Sequence, residues 1–324
     1  MNGNAFSPCI IEDKKLKLTM DMQALPFLNT IMKSGKTSAG LYYEAYPTEN
    51  ARGAIVISHG FCESIEKYKE MIYYFVKAGF QVYLADHRGH GRSRRDTAHP
   101  NMVHIKHFTD YTEDLHSFIT EIVKPSAGSL PLYLYAHSMG GAIGVLYLET
   151  WPDTFKKAVL NAPMLRINMG PFPLSLALAL AFIMKKLHRE EHYAPGQHAF
   201  VSGERYTESG SACEERFQYY QDKKDTNACF QTSGSSYGWA YESIHACSQM
   251  LKKENCARIP IPVLVFQAEK DILIKASGLR RFLKYTKSAS LIKIPGSKHE
   301  IYNSTASVLK AYYRAVFTFL TEHF

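Results

Sequence analysis

Short apolar runs alternate with helical patterns along most of the chain. Residues 54–58 form a β-branched run that ends at His59-Gly60, which is typical of a buried strand. A helical pattern follows over residues 68–78, and residues 80–85 predict the next strand. The alternation continues with strands at 132–135, 158–160, 261–267 and 291–294, and with helices at 108–123, 141–150, 279–283 and 308–320. This order predicts an α/β fold with a mostly parallel sheet flanked by helices.

Three parts of the chain depart from this alternation. Residues 16–20 and 40–46 look like opening strands, and Pro125 lies just beyond the predicted end of the helix at 108–123. The stretch 165–257 contains an apolar helical segment, a loop dense in Gly, Ser and Glu, and several aromatic residues. We interpret it as an inserted helical lid, which divides the core into residues 1–164 and 258–324.

The junction between the strand at 132–135 and the following helix carries the sequence Ala136-His-Ser138-Met139-Gly140. A serine with small residues two positions before and after it, between a strand and a helix, is typical of a nucleophile elbow. Ala136 stands where glycine is usual, but alanine is still small. The pattern predicts that Ser138 attacks an acyl carbon and forms an ester intermediate.

A serine nucleophile needs a base, which is usually a histidine held by a carboxylate. In folds with this elbow the chain order is Ser, then Asp or Glu, then His. Asp271 follows the strand at 261–267, and His299 follows the strand at 291–294. Glu269 is the alternative acid. We therefore predict a catalytic triad of Ser138, Asp271 and His299.

The reaction also needs an oxyanion hole made of backbone N–H groups. One donor is expected from Met139, the residue after the nucleophile. The other is expected from the loop that follows an earlier strand, where His59-Gly60-Phe61 comes directly after residues 54–58. We predict the N–H groups of Phe61 and Met139 as the two donors.

Together these motifs resemble the α/β-hydrolase branch of monoacylglycerol lipases and bacterial lysophospholipases, over roughly residues 40–324. The segment 234–243 is similar to bacterial lysophospholipases in particular. The resemblance implies an α/β-hydrolase fold, ester hydrolysis through serine, and no metal or organic cofactor. The matching segments are His59-Gly-Phe-Cys-Glu-Ser64 with Tyr68, Asp86-His-Arg-Gly-His-Gly-Arg-Ser93, Ala136-His-Ser-Met-Gly-Gly141, Ala268-Glu-Lys-Asp271-Ile-Leu-Ile274 and Ser297-Lys-His299-Glu300.

The apolar segment 172–184 is followed by Lys185, Lys186 and Arg189, and two interpretations of it stay open. It is either an acyl-binding wall or a lid helix that touches the membrane, or else a buried core helix whose last turn carries cations that suit the helix dipole. On the first interpretation, the expected substrate-binding residues are Tyr68, Phe172, Leu176, Leu180, Tyr237 and Trp239.

Composition and charge limit the classes of binding partner that we expect. With 46% hydrophobic residues and a formal net charge of +8, the chain is globular and basic, which favours anionic partners. It has no long Lys/Arg block, zinc-finger motif or RNA-binding motif, so we do not expect nucleic acid. Arg92, Arg94 and Arg95 form a basic loop that either holds a phosphate headgroup or is simply solvated. The pattern from His188 to His192 fits a zinc-peptidase motif, but it falls where the lid helix ends, and we predict no metal.

The amino-terminal residues 1–18 lack an apolar core of signal-peptide length, and residues 172–184 are too few to span a bilayer, which takes about 20. We therefore expect a cytoplasmic protein with peripheral contact at the inner face of the membrane through the lid. The expected activity is hydrolysis of a lysophospholipid or monoacylglycerol ester. The alternatives are an aminopeptidase, a general carboxylesterase or thioesterase, and a catalytically silent lipid-binding module. The oligomeric state does not follow from the sequence.

Overall fold

A computed structural model of the protein describes residues 9–322 and contains one eight-stranded sheet in that range. The first eight residues, which carry part of the segment behind the export prediction, lie outside the described residues. The strand order is β1-β2-β4-β3-β5-β6-β7-β8, with β1 and β2 antiparallel to their neighbours and all other pairs parallel. The predicted sheet is therefore confirmed. The strands are β1 Lys33–Lys36, β2 Tyr42–Tyr46, β3 Ala54–Ser58, β4 Gln81–Ala85, β5 Leu132–His137, β6 Lys157–Asn161, β7 Val263–Ala268 and β8 Ala289–Ile294.

Helices connect the strands and cover both faces of the sheet. The α-helices are α1 Leu16–Thr19, α2 Leu25–Ile31, α3 Lys69–Lys77, α4 Thr109–Phe118, α5 Lys124–Ala127, α6 Met139–Thr150, α7 Leu174–Lys186, α8 Glu214–Thr226, α9 Tyr237–Met250, α10 Lys253–Cys256, α11 Ala276–Tyr285 and α12 Ala306–Thr321. Short 3₁₀ turns lie at Asp13–Lys15, Ile65–Tyr68, Tyr206–Glu208, Ala228–Phe230 and Ile301–Asn303, and π turns at Met20–Ala24 and Ile119–Val123. No helix within residues 9–322 is long and apolar enough to cross a bilayer.

The central strands are buried on both faces because each face meets its own helical layer. In β3, Ile55 and Ile57 face a core built with α1, α2, α3 and α12, whereas Val56 faces the core built with α4, α6, α9 and α11. The same two-residue alternation in β5 and β6 explains why these strands appear in the sequence as nearly continuous apolar runs.

Residues 16–20 form helix, and the prediction of a strand there is wrong. Leu16, Met20, Ala24 and Leu28 are all buried, and this spacing of four residues places them on one helical face. Leu16 and Leu18, on either side of Lys17, look like the alternation of a strand only when the buried positions from Met20 onward are ignored.

The helix predicted to end before Pro125 continues through it. The π turn at Ile119–Val123 precedes α5, and the N–H of Lys124 donates to the carbonyl of Ile119 five residues back. Pro125 then lies in the first turn of α5, directly after the π turn.

Between β6 and β7 the chain adds four helices, α7 to α10, and no strand to the sheet in this described stretch. Helix α9 packs against both α6 and α7, which connects these helices to the sheet layers. Only Ala181 is buried in α7, so this helix does not form part of a buried core as the second interpretation of residues 172–184 required.

A buried arginine fastens α8 to the rest of the protein. Arg216 donates to Glu70 in α3 through Nε and Nη2 (3.0 and 2.8 Å), and to Asp13 and the Ile11 carbonyl near the amino terminus. Its side chain is only 1% exposed. Asp13 in turn accepts the N–H of Ala306 at the start of α12. One guanidinium therefore joins α8, α3 and the amino-terminal segment.

Arg216→Met should lower the free energy of unfolding by about 3 kcal/mol, because the partly buried carboxylates of Asp13 and Glu70 then lose their buried counter-charge. Urea denaturation of both proteins measures the change. Arg205→Met is the matched control, since Arg205 forms an exposed ion pair with Glu208 and its loss should change stability much less. Equal losses in the two variants would contradict this account of Arg216.

Candidate active site

Ser138 lies in a tight turn between β5 and α6. Its backbone has φ 51° and ψ −116°, a region that residues other than glycine rarely adopt. The Ser138 N–H donates to the carbonyl of Asn161 (3.1 Å), and the Ser138 carbonyl accepts the N–H of Met164 (2.8 Å). These bonds to the end of β6 hold the serine in its unusual conformation, as expected of a strained turn at a functional position.

The start of α6 lies directly against the end of β3. A Cβ atom on Gly140 would stand 2.1 Å from the carbonyl oxygen of Ser58, so only glycine fits there. Ala136 replaces the glycine that is usual in the elbow motif, and Gly144 explains why alanine fits. A Cβ atom on Gly144 would lie 3.2 Å from the Ala136 methyl group. The glycine in α6 thus provides the space that a glycine at position 136 would otherwise provide.

The structure brings the three predicted residues Ser138, Asp271 and His299 together. Nδ1 of His299 is 2.7 Å from Oδ2 of Asp271, and Nε2 of His299 is 2.8 Å from Oγ of Ser138. Because an ionised carboxylate only accepts hydrogen bonds, Nδ1 carries the hydrogen and Nε2 is free to accept from the serine hydroxyl. This arrangement can remove a proton from Ser138.

Asp271 stays ionised in this arrangement, whereas the alternative acid Glu269 points elsewhere. Burial by itself raises the pKa of Asp271, but the His299 bond and the N–H groups of Leu273 and Ile274 lower it below its usual value overall. Glu269 instead accepts the N–H of Gly296 at 2.9 Å. Of the two acids, only Asp271 contacts the histidine.

The two predicted oxyanion donors lie on segments that Gly140 brings into contact. Met139 begins α6, so its N–H is among those that no preceding helical carbonyl satisfies. The N–H of Phe61 has no protein acceptor within residues 9–322. Two backbone donors at this junction could stabilise a negatively charged oxygen on a substrate.

Glu63 holds the loop that carries Phe61, and the sequence analysis did not assign it a role. Its carboxylate accepts the N–H of Gly60 (2.6 Å) and the hydroxyls of Tyr68 (2.6 Å) and Tyr302 (2.5 Å). Burial raises its pKa, but Lys67 at 3.2 Å and the other donors outweigh burial and hold the pKa well below its usual value. In the sequence, Glu63 could have been noticed because it lies two residues after Phe61, within the segment 59–64 that resembles the hydrolase motif.

Three histidines pack behind the same loop. His59 accepts the N–H of His87 through Nε2 (2.8 Å), and its ring lies 4.3 Å from that of His87 and 5.3 Å from that of His90. Burial lowers the pKa of His59 to about 4 and that of His90 to about 3, and it also lowers the pKa of His87. His137, next to Ser138, is buried too, and its pKa falls to about 4. These rings are therefore neutral at neutral pH.

Ser138 opens into a cavity of about 560 Å³, which we call the apolar chamber. Its lining residues carry no charge, and they come from the elbow, the Phe61 loop, α7, α9 and the loop after Asp271. Four predicted substrate-binding residues line it, namely Phe172, Leu180, Tyr237 and Trp239. The rings of Trp239 and Phe61 lie 4.4 Å apart where the chamber meets the Phe61 loop.

Two predicted substrate-binding residues lie elsewhere. Tyr68 is fully buried and bonded to Glu63, so it supports the Phe61 loop and does not line the chamber. Leu176 is 53% exposed on the outer side of α7. Although Leu176 and Leu180 are separated by one turn, only Leu180 reaches the chamber.

The three arginines of the basic loop, Arg92, Arg94 and Arg95, bind to groups within the protein. Arg92 pairs with Glu44 and Glu66, Arg94 pairs with Asp96, and Arg95 donates to carbonyls within its own loop. These contacts give no support to the interpretation of the loop as a phosphate site.

The zinc-peptidase pattern does not form a helical pair. His188 and His192 lie in turns beyond the end of α7, whose last residue is Lys186. Within the described part of the chain, no three His, Cys, Asp or Glu side chains are grouped closely enough to bind a metal ion.

Comparison with known protein families shows which family this chain belongs to. The sequence profile of the serine aminopeptidase, S33, family matches residues 49–306, which include every catalytic candidate. The chain belongs to this family. Its fold also agrees with solved relatives of the same architecture. A carboxyl esterase from Bacillus coagulans, solved with glycerol, superposes with a TM-score of 0.71 at 20% identity, covering 89% of this chain and 97% of that one.

Curated proteins similar to this chain include a lysophospholipase and a monoacylglycerol lipase. Lysophospholipase L2 of Escherichia coli K12 is 30% identical over 282 residues, which cover 83% of this chain and 80% of that protein. The monoacylglycerol lipase of Mycolicibacterium smegmatis is 27% identical over 274 residues, covering 83% and 89%. The predicted resemblance to this branch is confirmed.

The buried histidines predict how the stability of this hydrolase-family protein depends on pH. An unfolded histidine binds its proton near pH 6.5, whereas His59, His90 and His137 do so only near pH 3 to 4 in the folded protein. Between these values the unfolded chain holds more protons, so stability should fall as the pH drops from about 6.5 to about 4.

The corresponding measurement is the free energy of unfolding from urea titrations across this range. His90→Asn keeps a donor near the Arg88 carbonyl and removes one titrating ring, so the slope should decrease by about one proton, or 1.4 kcal/mol per pH unit. An unchanged slope in this variant would contradict the burial of a neutral His90.

Proposed function

We propose that this member of the family is a serine hydrolase that cleaves the carboxylic ester of a lysophospholipid or monoacylglycerol. The observation that carries the proposal is the position of Ser138, whose hydroxyl bonds to His299 and opens into a chamber without charged residues. Such a chamber suits a long acyl chain, because apolar surface leaves water on binding. The names of the two curated relatives point to the same substrate class.

Ser138 attacks the ester carbon while Nε2 of His299 takes its proton. The Asp271 carboxylate keeps the imidazole in the required tautomer and stabilises its positive charge. The N–H groups of Phe61 and Met139 stabilise the oxyanion of the tetrahedral intermediate. The intermediate collapses to an acyl-serine as His299 returns the proton to the leaving alcohol. Water then attacks the acyl-serine by the same sequence and releases the fatty acid and free Ser138.

The family name raises the alternative of an aminopeptidase, whose acyl group carries an ammonium ion. That substrate needs a carboxylate beside the acyl group, but the apolar chamber has none in its lining. Four other carboxylates within residues 165–257 do not line this chamber either, namely Glu190, Glu191, Glu214 and Glu215. A general carboxylesterase or thioesterase would use the same machinery and differ only in substrate preference.

Residues 165–257 act as the lid in this proposal, and α7 is its membrane-contacting part. Besides Leu176, the side chains of Phe182, Ile183 and Leu187 on or next to this helix are exposed. Lys186 and Arg189, also exposed, follow at its end and suit the anionic headgroups of a cytoplasmic membrane surface. An exposed apolar helix with cations at one end is typical of peripheral membrane contact.

Ser138→Ala should reduce kcat by about 10⁶, and Asp271→Asn by about 10⁴ because the amide holds the wrong imidazole tautomer. Glu269→Gln is the matched control and should have little effect. Initial rates on a dissolved butyrate ester and on palmitoylglycerol measure the losses, and labelling with a fluorophosphonate reports the activated serine. Wild-type protein that is neither labelled nor active would indicate a catalytically silent lipid-binding module.

Leu176 and Leu180 provide a matched pair for the lid. Leu176→Ser should weaken turnover of vesicle-bound substrate by about tenfold or more, because an apolar contact with lipid worth about 1.5–3 kcal/mol is lost. Hydrolysis of the same substrate below its micellar concentration should change little. Leu180→Ser should impair long-chain substrates in both forms, since Leu180 lines the chamber. Equal effects of Leu176→Ser on dissolved and vesicle-bound substrate would contradict the membrane contact.

A further inference from the structure

A second cavity of about 550 Å³ adjoins the apolar chamber and shares Phe61 and Leu273 with it. We call it the polar chamber. One face of α8 forms a wall, because Phe217, Tyr220, Gln221 and Lys224 are spaced by three or four residues and all line it. The junction of the two chambers lies at Phe61, which carries one of the proposed oxyanion donors.

The two chambers divide an ester between them. A carbonyl held at the junction has its acyl chain on one side and its alcohol on the other. The apolar chamber contains Ser138 and suits the acyl chain, so the alcohol has the polar chamber available. The chemistry of that chamber should therefore select the headgroup.

The charges in the polar chamber favour a headgroup that carries an ammonium group as well as a phosphate. Its lining contains four carboxylates, Glu63, Glu204, Glu208 and Glu300, against two ammonium groups, Lys67 and Lys224. A headgroup with negative charge alone would meet an excess of like charge. Neutral glycerol can offer hydrogen bonds to these groups but no counter-charge.

Lys67 is already committed to internal partners. Its Nζ lies 2.6 Å from Glu300 and 3.2 Å from Glu63, within the network that holds the Phe61 loop. Lys224 is paired more loosely, since its Nζ is 3.7 Å from Oε2 of Glu204, beyond hydrogen-bond distance. The Lys224 side chain is 11% exposed and that of Glu204 is 41% exposed.

A loose pair of opposite charges matches a zwitterion by exchange of partners. A phosphate can replace Glu204 as the partner of Lys224, while the ammonium group becomes the partner of Glu204. Neither protein charge is then left without a counter-charge, which avoids the usual cost of separating a partly buried pair. The exchange also replaces a 3.7 Å contact by charge-assisted hydrogen bonds.

We infer that the polar chamber binds the zwitterionic phosphate headgroup of a lysophospholipid, with Lys224 holding the phosphate and Glu204 the ammonium group. The inference rests on the proposed ester hydrolysis and narrows its substrate class to lysophospholipids over monoacylglycerols.

The test compares kcat/KM for lysophosphatidylethanolamine, lysophosphatidylglycerol and monoacylglycerol, all with a palmitoyl chain in the same mixed micelles. Lys224→Met should lower the ratio of lysophosphatidylethanolamine to monoacylglycerol by about tenfold, the size expected for a hydrogen bond to a charged group. Glu204→Gln should lower the ratio of lysophosphatidylethanolamine to lysophosphatidylglycerol, because only the first has an ammonium group.

Lys223→Met is the matched control. Lys223 is the neighbouring lysine on α8, carries the same charge and pairs with Glu66 outside the polar chamber. This variant should keep both ratios within about twofold. A drop in the ratios equal to that of Lys224→Met would indicate a general charge effect and overturn the inference. A decrease in kcat/KM of Lys224→Met that is the same for all three lipids would also overturn the inference.

Inhibition of wild-type butyrate hydrolysis distinguishes a headgroup site from a site for free phosphate. Glycerophosphoethanolamine should inhibit, and Lys224→Met should weaken this inhibition. Inorganic phosphate that inhibits equally well would overturn the assignment to a headgroup.

Binding separates this inference from the proposed activity. If the wild-type protein hydrolyses none of the esters, the proposed function fails. Calorimetric binding of a non-cleavable ether lysophospholipid then still tests the polar chamber, with weaker binding expected for Lys224→Met than for Lys223→Met. Equal binding by the two variants would overturn the inference.

Discussion

The close approach of α6 to the end of β3 is the constraint on which the site depends. Parallel pairing of β3 with β5 brings the carboxyl ends of both strands to one edge of the sheet. Gly140 then lets the first turn of α6 lie against the carbonyl of Ser58, which a Cβ at that position would prevent. As a result Ser138, directly after β5, lies close to the loop that follows β3. The strained backbone of Ser138 is tolerated because hydrogen bonds from the end of β6 fix it on both sides.

A buried carboxylate then makes this edge rigid. Glu63 connects the Phe61 loop to Tyr302, three residues after His299, and lies 3.7 Å from the ring of His137, next to the serine. A buried charge is costly without partners, so the surrounding hydroxyls, the Gly60 N–H and Lys67 hold it in one position. Because the partners come from separate segments, Glu63 connects the Phe61 loop to the segment that carries His299.

The helices between β6 and β7 form walls of the two chambers next to Ser138 and Phe61. Helices α7 and α9 enclose the apolar chamber, and α8 forms one wall of the polar chamber. Arg216 anchors α8 through α3, so the wall that carries Lys224 is fixed by a contact far from the serine. In the proposed function the triad supplies the reactivity, and the apolar and polar walls on the two sides of Phe61 select the ester.

The sequence by itself predicted the sheet, most helices, and a triad of Ser138 and His299 with either Asp271 or, as the alternative, Glu269, because strand periodicity and turn chemistry are local properties. It misjudged residues 16–20, where the deciding signal was burial of every fourth residue over a longer stretch against α3 and α12. Tyr68 and Leu176 show the same limit, since no local pattern tells whether a side chain faces a chamber, a buried carboxylate or solvent. Only the tertiary structure decided that Asp271 and not Glu269 meets His299, that Glu63 supports the Phe61 loop, and that α8 contributes a charged wall to the polar chamber. Each of these depends on contacts between segments far apart in sequence, and such contacts are set by how the helices pack on the sheet.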